Sequence, residues 1–341
     1  MTTVRLGKSG LVSPRNAFGA LPIQRISDAD AVAILHRAYE GGMTFFDTAR
    51  FYTDSEHKLG LAFSHMRAKV VIASKTGAVT VEDFWRDLET SLSELQTSYI
   101  DLYQFHNPAF CPKPNDGTGL YEAMLQARAE GKIRHIGITN HRLHVAEEAV
   151  LSGLYETLQF PFSYLAGESD HALVALCAEH DVGFIAMKAL SGGLITDAAA
   201  AYAYIAQYPH VLPIWGIQRL SELEEFLRMS DDEPTMTDEM RARIERDRAQ
   251  LGGDFCRGCG YCMPCPVGIR INDCARMSQL IRRSPSGPQL TDKVRADMEH
   301  IEACVGCGSC KSKCPYGLDI PALLRRNLED YRRIVRGEIQ L

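Results

Sequence analysis

Phe45-Phe46-Asp47-Thr48-Ala49-Arg50-Phe51-Tyr52 is an apolar run that ends in a carboxylate and is followed, five residues on, by a phenol. Two later stretches have the same form: Val70-Val71-Ile72-Ala73-Ser74 leads into Lys75, and Asp101-Leu102-Tyr103-Gln104-Phe105 leads into His106. Each reads as a strand that delivers a polar side chain at its carboxyl end. Strands buried on both faces, with chemistry gathered where they end, suit a parallel α/β barrel.

Working outward, strand patterns recur near residues 16–19, 44–47, 70–75, 101–106, 134–139, 157–161, 183–188 and 211–216, eight in all. Helical patterns lie between them at 81–95, 119–130, 144–152, 170–180, 197–207 and 221–229. The first helix opens at Ser27-Asp28-Ala29-Asp30, a capping residue with early acids, and stops at Gly41-Gly42. Glycines 7 and 10 and Pro14 between short apolar pairs predict a hairpin that closes the barrel floor. Strict alternation over eight units predicts a (β/α)8 TIM barrel rather than an open sheet.

Asp47, Tyr52, Lys75 and His106 gathered at one end of that barrel form a proton-transfer site. A phenol has an ordinary pKa of about 10, so a tyrosine acting as a general acid near neutrality needs a nearby cation. Lys75 supplies the charge, Asp47 holds the ammonium, and His106 orients a substrate carbonyl or shares the proton. In order and spacing these four residues resemble an aldo/keto reductase, as do Ser55-Glu56, Leu59-Gly60 and Ile136-Gly137-Ile138-Thr139-Asn140 around them. The resemblance implies a barrel, a nicotinamide cofactor (NADP or NAD), and a small carbonyl or alcohol substrate. It also implies that Thr139, Asn140 and Gln159 hold the nicotinamide amide.

Barrels often bind phosphate on the loops after their last two strands. Here those loops are Lys188-Ala189-Leu190-Ser191-Gly192-Gly193-Leu194 and Gly216-Ile217-Gln218-Arg219. Where many members of the resembled family carry a Lys, an Arg and a Glu-Asn pair for the adenosine 2′-phosphate and adenine, this chain has Gly216, Glu222, Glu225 and Phe226. Lost cations and an added carboxylate disfavour a 2′-phosphate unless Arg219 compensates. Lys188, residues 216–219 and Glu225 therefore complete the expected cofactor site.

A chain of 341 residues, 45% hydrophobic, is globular and longer than the about 250 residues of one barrel. The expected division is a barrel at 1–229, a connecting helix at 230–253 and a smaller domain at 254–341. The net charge of -6 argues against a nucleic-acid partner. No apolar run is long enough to span a bilayer, and Met1-Thr2-Thr3-Val4-Arg5 lacks a signal-peptide core, which predicts a cytoplasmic protein without a membrane partner.

Of 11 cysteines, only Cys111 and Cys177 precede residue 250. Crowding of this kind in a reducing compartment points to metal rather than disulfides. Cys304, Cys307, Cys310 and Cys314, followed by Pro315, have the C-x2-C-x2-C-x3-C-P spacing that holds [4Fe–4S] clusters in bacterial ferredoxins. Cys256, Cys259, Cys262 and Cys265 before Pro266 form a second such motif, one residue shorter. Two [4Fe–4S] clusters are expected, with Cys314 serving the first motif and Cys265 the second; Cys274 is an alternative ligand, and two structural zinc sites are the alternative metal content.

The intervening segment and residues 320–336 read as helical, so this part resembles an α-helical ferredoxin. Joined to the barrel, it resembles a subfamily arrangement over nearly the whole chain. Arg325, Arg326, Arg332, Arg333 and Arg336 form a solvated helix face or a docking surface for a ferredoxin or flavodoxin donor. Function reads first as a nicotinamide-dependent carbonyl reductase or alcohol dehydrogenase. The alternatives are a ferredoxin-linked single-electron reductase or radical dehydratase using the barrel as its substrate site, and a non-enzymatic electron carrier.

Overall fold

The first elements of the chain form the floor on which the barrel stands. In the computed structural model, which describes residues 2–251, 255–283 and 286–340, strands β1 (Thr3–Arg5) and β2 (Val12–Pro14) pair antiparallel, with Thr3 opposite Pro14. Val4 and Leu6 turn inward from this hairpin. They pack in one buried cluster with Phe45, Ala73, Leu102, Ile185 and Leu212, the early residues of the barrel strands.

Eight parallel strands then close into a barrel: β3 (Ala17–Gly19), β4 (Phe45–Asp47), β5 (Val71–Thr76), β6 (Ile100–His106), β7 (Ile133–Thr139), β8 (Thr157–Pro161), β9 (Gly183–Met187) and β10 (Val211–Gly216), with β10 pairing back to β3. A helix follows each strand in turn: Asp28–Glu40, Ser55–Phe63, Val81–Glu94, Leu120–Ala129, Leu143–Leu151, Glu168–Glu179, Ala198–Ile205 and Leu220–Asp231. The Ser27 hydroxyl accepts from Asp30 N at 3.1 Å, so the first helix begins where its capping sequence places it. The helix Ser55–Phe63 is absent from the sequence expectation, because its buried face carries Glu56 and Lys58 beside Leu59, Ala62 and Phe63. Polar residues on the inner face erase the apolar stripe by which a helix is read.

The strands enter the wall in a register that lines up their carboxyl ends. Asp47 is opposite Ala73, Lys75 opposite Gln104, His106 opposite Thr139, and Thr139 opposite Gln159. Asp101, at the other end of β6, is buried and accepts from Arg67 Nη2 at 2.6 Å, Ile72 N at 2.9 Å and Arg134 Nη1 at 3.0 Å. That carboxylate ties β5, β6 and β7 together below the site.

The chain divides into two compact units, residues 1–189 with 202–235, and residues 190–201 with 236–341. The boundary expected at 253–254 lies outside the described residues. In the second unit, helices Asp238–Leu251, Ile271–Cys274, Met277–Arg283, Asp292–Glu299 and Ile320–Val335 occur, and no strand lies among the described residues from 255 onward. The last helix organises that unit. Its Ile320, Leu323, Leu324, Leu328, Tyr331 and Ile334 recur at helical spacing and are buried against Ile269, Ile271, Met298 and Ile301. Asn327 on the same face is buried but satisfied, accepting from Ser278 N at 2.8 Å and donating to Leu323 O at 2.9 Å.

The floor gives a stability test at Gly7, whose φ of +49° lies in the left-handed region. A Cβ there would run into the backbone of Asp181 and Gly183. Gly7→Ala is expected to destabilise the chain by roughly 2–4 kcal/mol, the sum of left-handed strain and overpacking. A urea unfolding midpoint equal to that of the unsubstituted chain contradicts this account of the floor.

Candidate active site and cysteine centre

Asp47 ends β4 and Lys75 lies one residue before the end of β5, so neighbouring strands bring them side by side. Lys75 Nζ donates to Asp47 Oδ1 and Oδ2, each at 2.7 Å, and to Thr48 O at 2.6 Å. An ammonium has three N–H donors, and these three bonds use them all. Both side chains are almost wholly buried, at 2% and 1% exposure. Burial pushes the Asp47 carboxyl up and the Lys75 ammonium down, and each opposes the other's shift by holding its partner charged.

Tyr52 reaches the pair from the turn after β4. Lys75 Nζ lies 5.1 Å from the centroid of its ring, within range for a cation over an aromatic face. His106 ends β6 and stands edge-on to the Tyr52 ring, centroids 5.8 Å apart. Burial first, then the Lys75 charge, push the His106 pKa down to about 3. The imidazole is therefore neutral across the physiological range, which suits orientation of a substrate oxygen and not donation of a proton at neutral pH. Its Nδ1 has no hydrogen-bond partner among the described residues.

Several further side chains shape the site. Glu56, in the helix after Tyr52, is buried, pairs with Arg50 and accepts from the Ser74 hydroxyl, thereby fixing the turn that carries Tyr52. Gln104 lies two residues before His106 on the same face of β6 and donates to Gln159 Oε1 at 3.2 Å, while its own Oε1 is buried without a partner among the described residues. The period of two along a strand is the signal that would have found it. Phe51 lies 5.8 Å from the His106 ring and covers Gly77, where any Cβ would collide with it. Phe51, Val79 and Phe110, on the loops after β4, β5 and β6, are 64%, 74% and 41% exposed.

The expected cofactor residues are in place but partly engaged. Thr139, Asn140 and Gln159 are buried at adjacent strand ends. Asn140 donates to Pro108 O at 2.9 Å and accepts from His141 N and Arg142 N at 2.9 and 2.8 Å, so it shapes its own loop. Lys188 is half-buried with a φ of +57°. Beyond Gly216 and the buried Ile217, Glu222 receives Gln218 N at 3.0 Å, Arg219 N at 3.1 Å and the Arg219 guanidinium at 2.8 Å. Arg219 is thus paired with Glu222. Glu225 is exposed, and Phe226 is buried in a stack on Trp215, centroids 4.5 Å apart. Cys111 is a buried filler, its thiol pushed up to about 11 by burial.

In the second unit the two cysteine motifs are one loop used twice. Cys256-Arg257-Gly258-Cys259-Gly260-Tyr261-Cys262 and Cys304-Val305-Gly306-Cys307-Gly308-Ser309-Cys310 place glycine at matching positions. All four glycines have φ between +62° and +80°, which a side chain rarely adopts, so the chain coils tightly with its cysteines on one side. Cys262, Cys265, Cys304, Cys307 and Cys310 line one cavity walled by Pro266, Val267, Ile269 and Leu324. Cys256 interacts electrostatically with Cys259 and Cys314, and Cys262 with Cys256, Cys259 and Cys310. Cys274 stands apart, its thiol donating to Asp297 O at 3.6 Å. Among the described residues no three His, Cys, Asp or Glu converge on a single metal-ion position. Arg276 lies against Gly258, donates to Gly192 O at 3.1 Å, and its charge opposes the burial that raises Cys256.

Residues 16–200 match the model for the aldo/keto reductase family, and residues 255–319 match that for a 4Fe-4S dicluster domain. The chain is 29% identical over 211 residues to L-galactose dehydrogenase of Arabidopsis thaliana, covering 56% of this chain and 66% of that protein. It is 34% identical over 145 residues to methylglyoxal reductase DkgB of Escherichia coli O157:H7, covering 39% and 51%. The chain thus spans less than two thirds of the length of these curated relatives. Among solved structures, an aldo-keto reductase from Bacillus halodurans in its holo form aligns with a TM-score of 0.63 at 22% identity, covering 72% of this chain and 96% of that one. One from Klebsiella pneumoniae in complex with NADPH gives 0.63 at 24% identity, covering 72% and 94%. These likenesses carry the fold. No helix among the described residues is long and apolar enough to cross a membrane.

The depressed His106 pKa has a consequence for stability. The unfolded chain binds a proton at His106 below its ordinary value of about 6.5, whereas the folded chain resists until about 3. Stability from this group is complete above about pH 6.5 and is lost as pH falls toward about 3. Urea unfolding at pH 7 and pH 5 is expected to show His106→Gln losing about 2 kcal/mol less than the unsubstituted chain over that interval. Identical losses contradict the neutral imidazole.

Proposed function

Because the chain belongs to the aldo/keto reductase family, we propose that it is an oxidoreductase moving hydride between a nicotinamide cofactor and a small carbonyl compound or its alcohol. The observation that carries this reading is the buried Asp47–Lys75 pair set beneath Tyr52 beside a neutral His106. A bound nicotinamide supplies the hydride. Tyr52 donates its phenolic proton to the substrate oxygen as negative charge develops there. Lys75, which spends its N–H donors on Asp47 and Thr48, helps by its charge and not by a hydrogen bond to the phenol. That charge stabilises the phenolate left behind. His106 orients the oxygen. Phe51, Val79 and Phe110 at the mouth favour a substrate with an apolar body beyond its carbonyl.

Gln104 Oε1, buried without a partner among the described residues beside Gln159, is an acceptor suited to the nicotinamide amide, with Thr139 and Asn140 shaping the adjoining wall. At the other end Lys188 and residues 216–219 would hold the remainder of the cofactor, with Glu225 at the rim. Glu222 already occupies Gln218 N, Arg219 N and the Arg219 guanidinium, donors that a 2′-phosphate would need. NADH is therefore expected to bind at least about tenfold more tightly than NADPH, which corresponds to about 1.4 kcal/mol. Glu222→Ala should narrow that ratio. Fluorescence titration checks it, and a native chain that prefers NADPH contradicts it.

In the second unit, eight cysteines would hold two [4Fe–4S] clusters, Cys256, Cys259, Cys262 and Cys314 for one and Cys265, Cys304, Cys307 and Cys310 for the other. Cys265 shares a cavity with the second loop, as does Cys262 of the first, and Cys256 interacts with Cys314; the crossover rests on this interleaving together with the ferredoxin spacing. Such clusters supply electrons singly. A ferredoxin or flavodoxin is the class of partner that this implies. Cys304 and Cys307, both exposed, favour electron entry at the second loop.

The hydride reading is tested at Tyr52. Tyr52→Phe is expected to lower kcat by at least about 100-fold, the low end of general acid catalysis, while NADH binding stays within a factor of two. Steady-state turnover with a panel of aldehydes and ketones is the measurement. Substantial residual turnover removes Tyr52 from the acid role.

A further inference from the structure

The two cysteine loops share a sequence form but differ in exposure. Cys256 and Cys262 are 6% and 7% exposed, whereas Cys304 and Cys307 lie open at the surface with Val305 between them at 68%. Beside the second loop runs a groove along the helix Ile320–Val335. Its wall includes Cys304, Pro321 and Leu324, the same three residues that wall the inner cavity lined by Cys262, Cys265, Cys307 and Cys310. A molecule seated in the groove is therefore separated from the inner cavity by those three residues.

The surroundings are basic in an acidic chain. Residues 304–341 carry seven Lys and Arg against four Asp and Glu, while the whole chain has a net charge of -6. Many of these cations are internally matched: Arg332 pairs with Glu299 and Glu302, Arg336 with Glu338, and Lys311 with Asp319. Arg325 on the groove rim, Arg326 beside it and Lys313 after the second loop are exposed and have no ion pair among the described residues. Glu302 and Glu329, also on the groove, are the opposing charges, and Glu302 is already paired with Arg332. Exposed cations without internal partners cost the fold nothing to offer, and they attract an acidic surface over a Debye length of about 8 Å at physiological salt.

We propose that residues 304–310 and the adjoining face of helix Ile320–Val335 are the docking port for a small acidic protein that carries one electron. The proposal rests on the reading of the cysteines as iron–sulfur ligands. It adds the side from which electrons arrive and the charge of the protein that brings them. Val305 and the groove give apolar contact, and Arg325, Arg326 and Lys313 give steering. One electron leaves the carrier and one arrives at the group held by Cys304, Cys307 and Cys310; no bond forms or breaks. The buried Cys256 loop lies inward of the port.

The test uses the anaerobically purified full chain with its iron and sulfide, and a pre-reduced acidic [2Fe–2S] ferredoxin as the probe, in a stopped-flow experiment. The second-order rate of absorbance bleaching is expected to fall at least tenfold between low and high salt, and at least tenfold in an Arg325→Glu, Arg326→Glu double variant at low salt. Reduction by methyl viologen radical cation, small and positively charged, is expected not to slow in that variant. Equal ferredoxin rates in the native chain and the variant, with iron content unchanged, overturn the port. A chain that purifies without iron and sulfide overturns the cluster reading beneath it.

Zero-length carbodiimide cross-linking keeps the test independent of the variant. It is expected to join ferredoxin carboxylates to Lys313. Cross-links confined to other lysines, or only between copies of this chain, overturn the port.

Discussion

Two opposite charges taken out of water at the ends of adjacent strands set the terms for the barrel's chemistry. Lys75 and Asp47 are affordable in the interior only as a pair, with every N–H of the ammonium bonded. Removing one partner would leave a buried charge without compensation, a loss of about 3–5 kcal/mol. The pair therefore fixes the ends of β4 and β5 relative to each other. It also places a cation under the face of Tyr52 and helps keep His106 neutral. In the proposed reaction this single constraint positions an acid, the charge that stabilises its conjugate base, and an uncharged group to steer a substrate oxygen. The hairpin floor and the Asp101 network hold the strands in the register on which that constraint depends.

Some of this could be read in the sequence because strand ends advertise themselves. Phe45-Phe46-Asp47 and the runs before Lys75 and His106 are buried on both faces and largely apolar, so the titratable residue that closes each run marks the carboxyl end of its strand. The helix Ser55–Phe63 could not be read in the same way. Its Glu56 and Lys58 face inward, one bound by Ser74 and Arg50 and the other by Ile23 O, Ile26 O and Asp54, and a hydropathy pattern assigns such residues to solvent. Gln104 was hidden for a related reason: a lone amide inside a largely apolar strand gains meaning only when Gln159, two strands away on β8, is known to reach it. Glu222 shows the limit of counting charges. Its effect on a phosphate depends on which donors it takes up, and those are backbone N–H groups that no side-chain alphabet records.

The second unit depends on a different economy. The cysteine loops are short and rich in left-handed glycine, so they bury little on their own. Their positions are held by the amphipathic helix Ile320–Val335 and the residues packed on it. Spacing alone proposes the cysteines as ligands, since C-x2-C-x2-C has few other uses. The unequal exposure of the two loops was not legible, because Arg257-Gly258 and Val305-Gly306 look alike as sequence while one loop lies beneath Arg276 and the other at the surface.

The central claim is that the barrel performs hydride chemistry with a bound nicotinamide while the cysteine unit handles single electrons separately. Anaerobic titration of the iron-loaded chain with NADH, following cofactor fluorescence and iron–sulfur absorbance together, addresses it most directly. Saturable binding of NADH with the iron–sulfur bands remaining oxidised is the predicted result. Failure of NADH to bind, in a chain whose iron–sulfur bands bleach with a low-potential one-electron donor, would contradict it and transfer the barrel to single-electron catalysis.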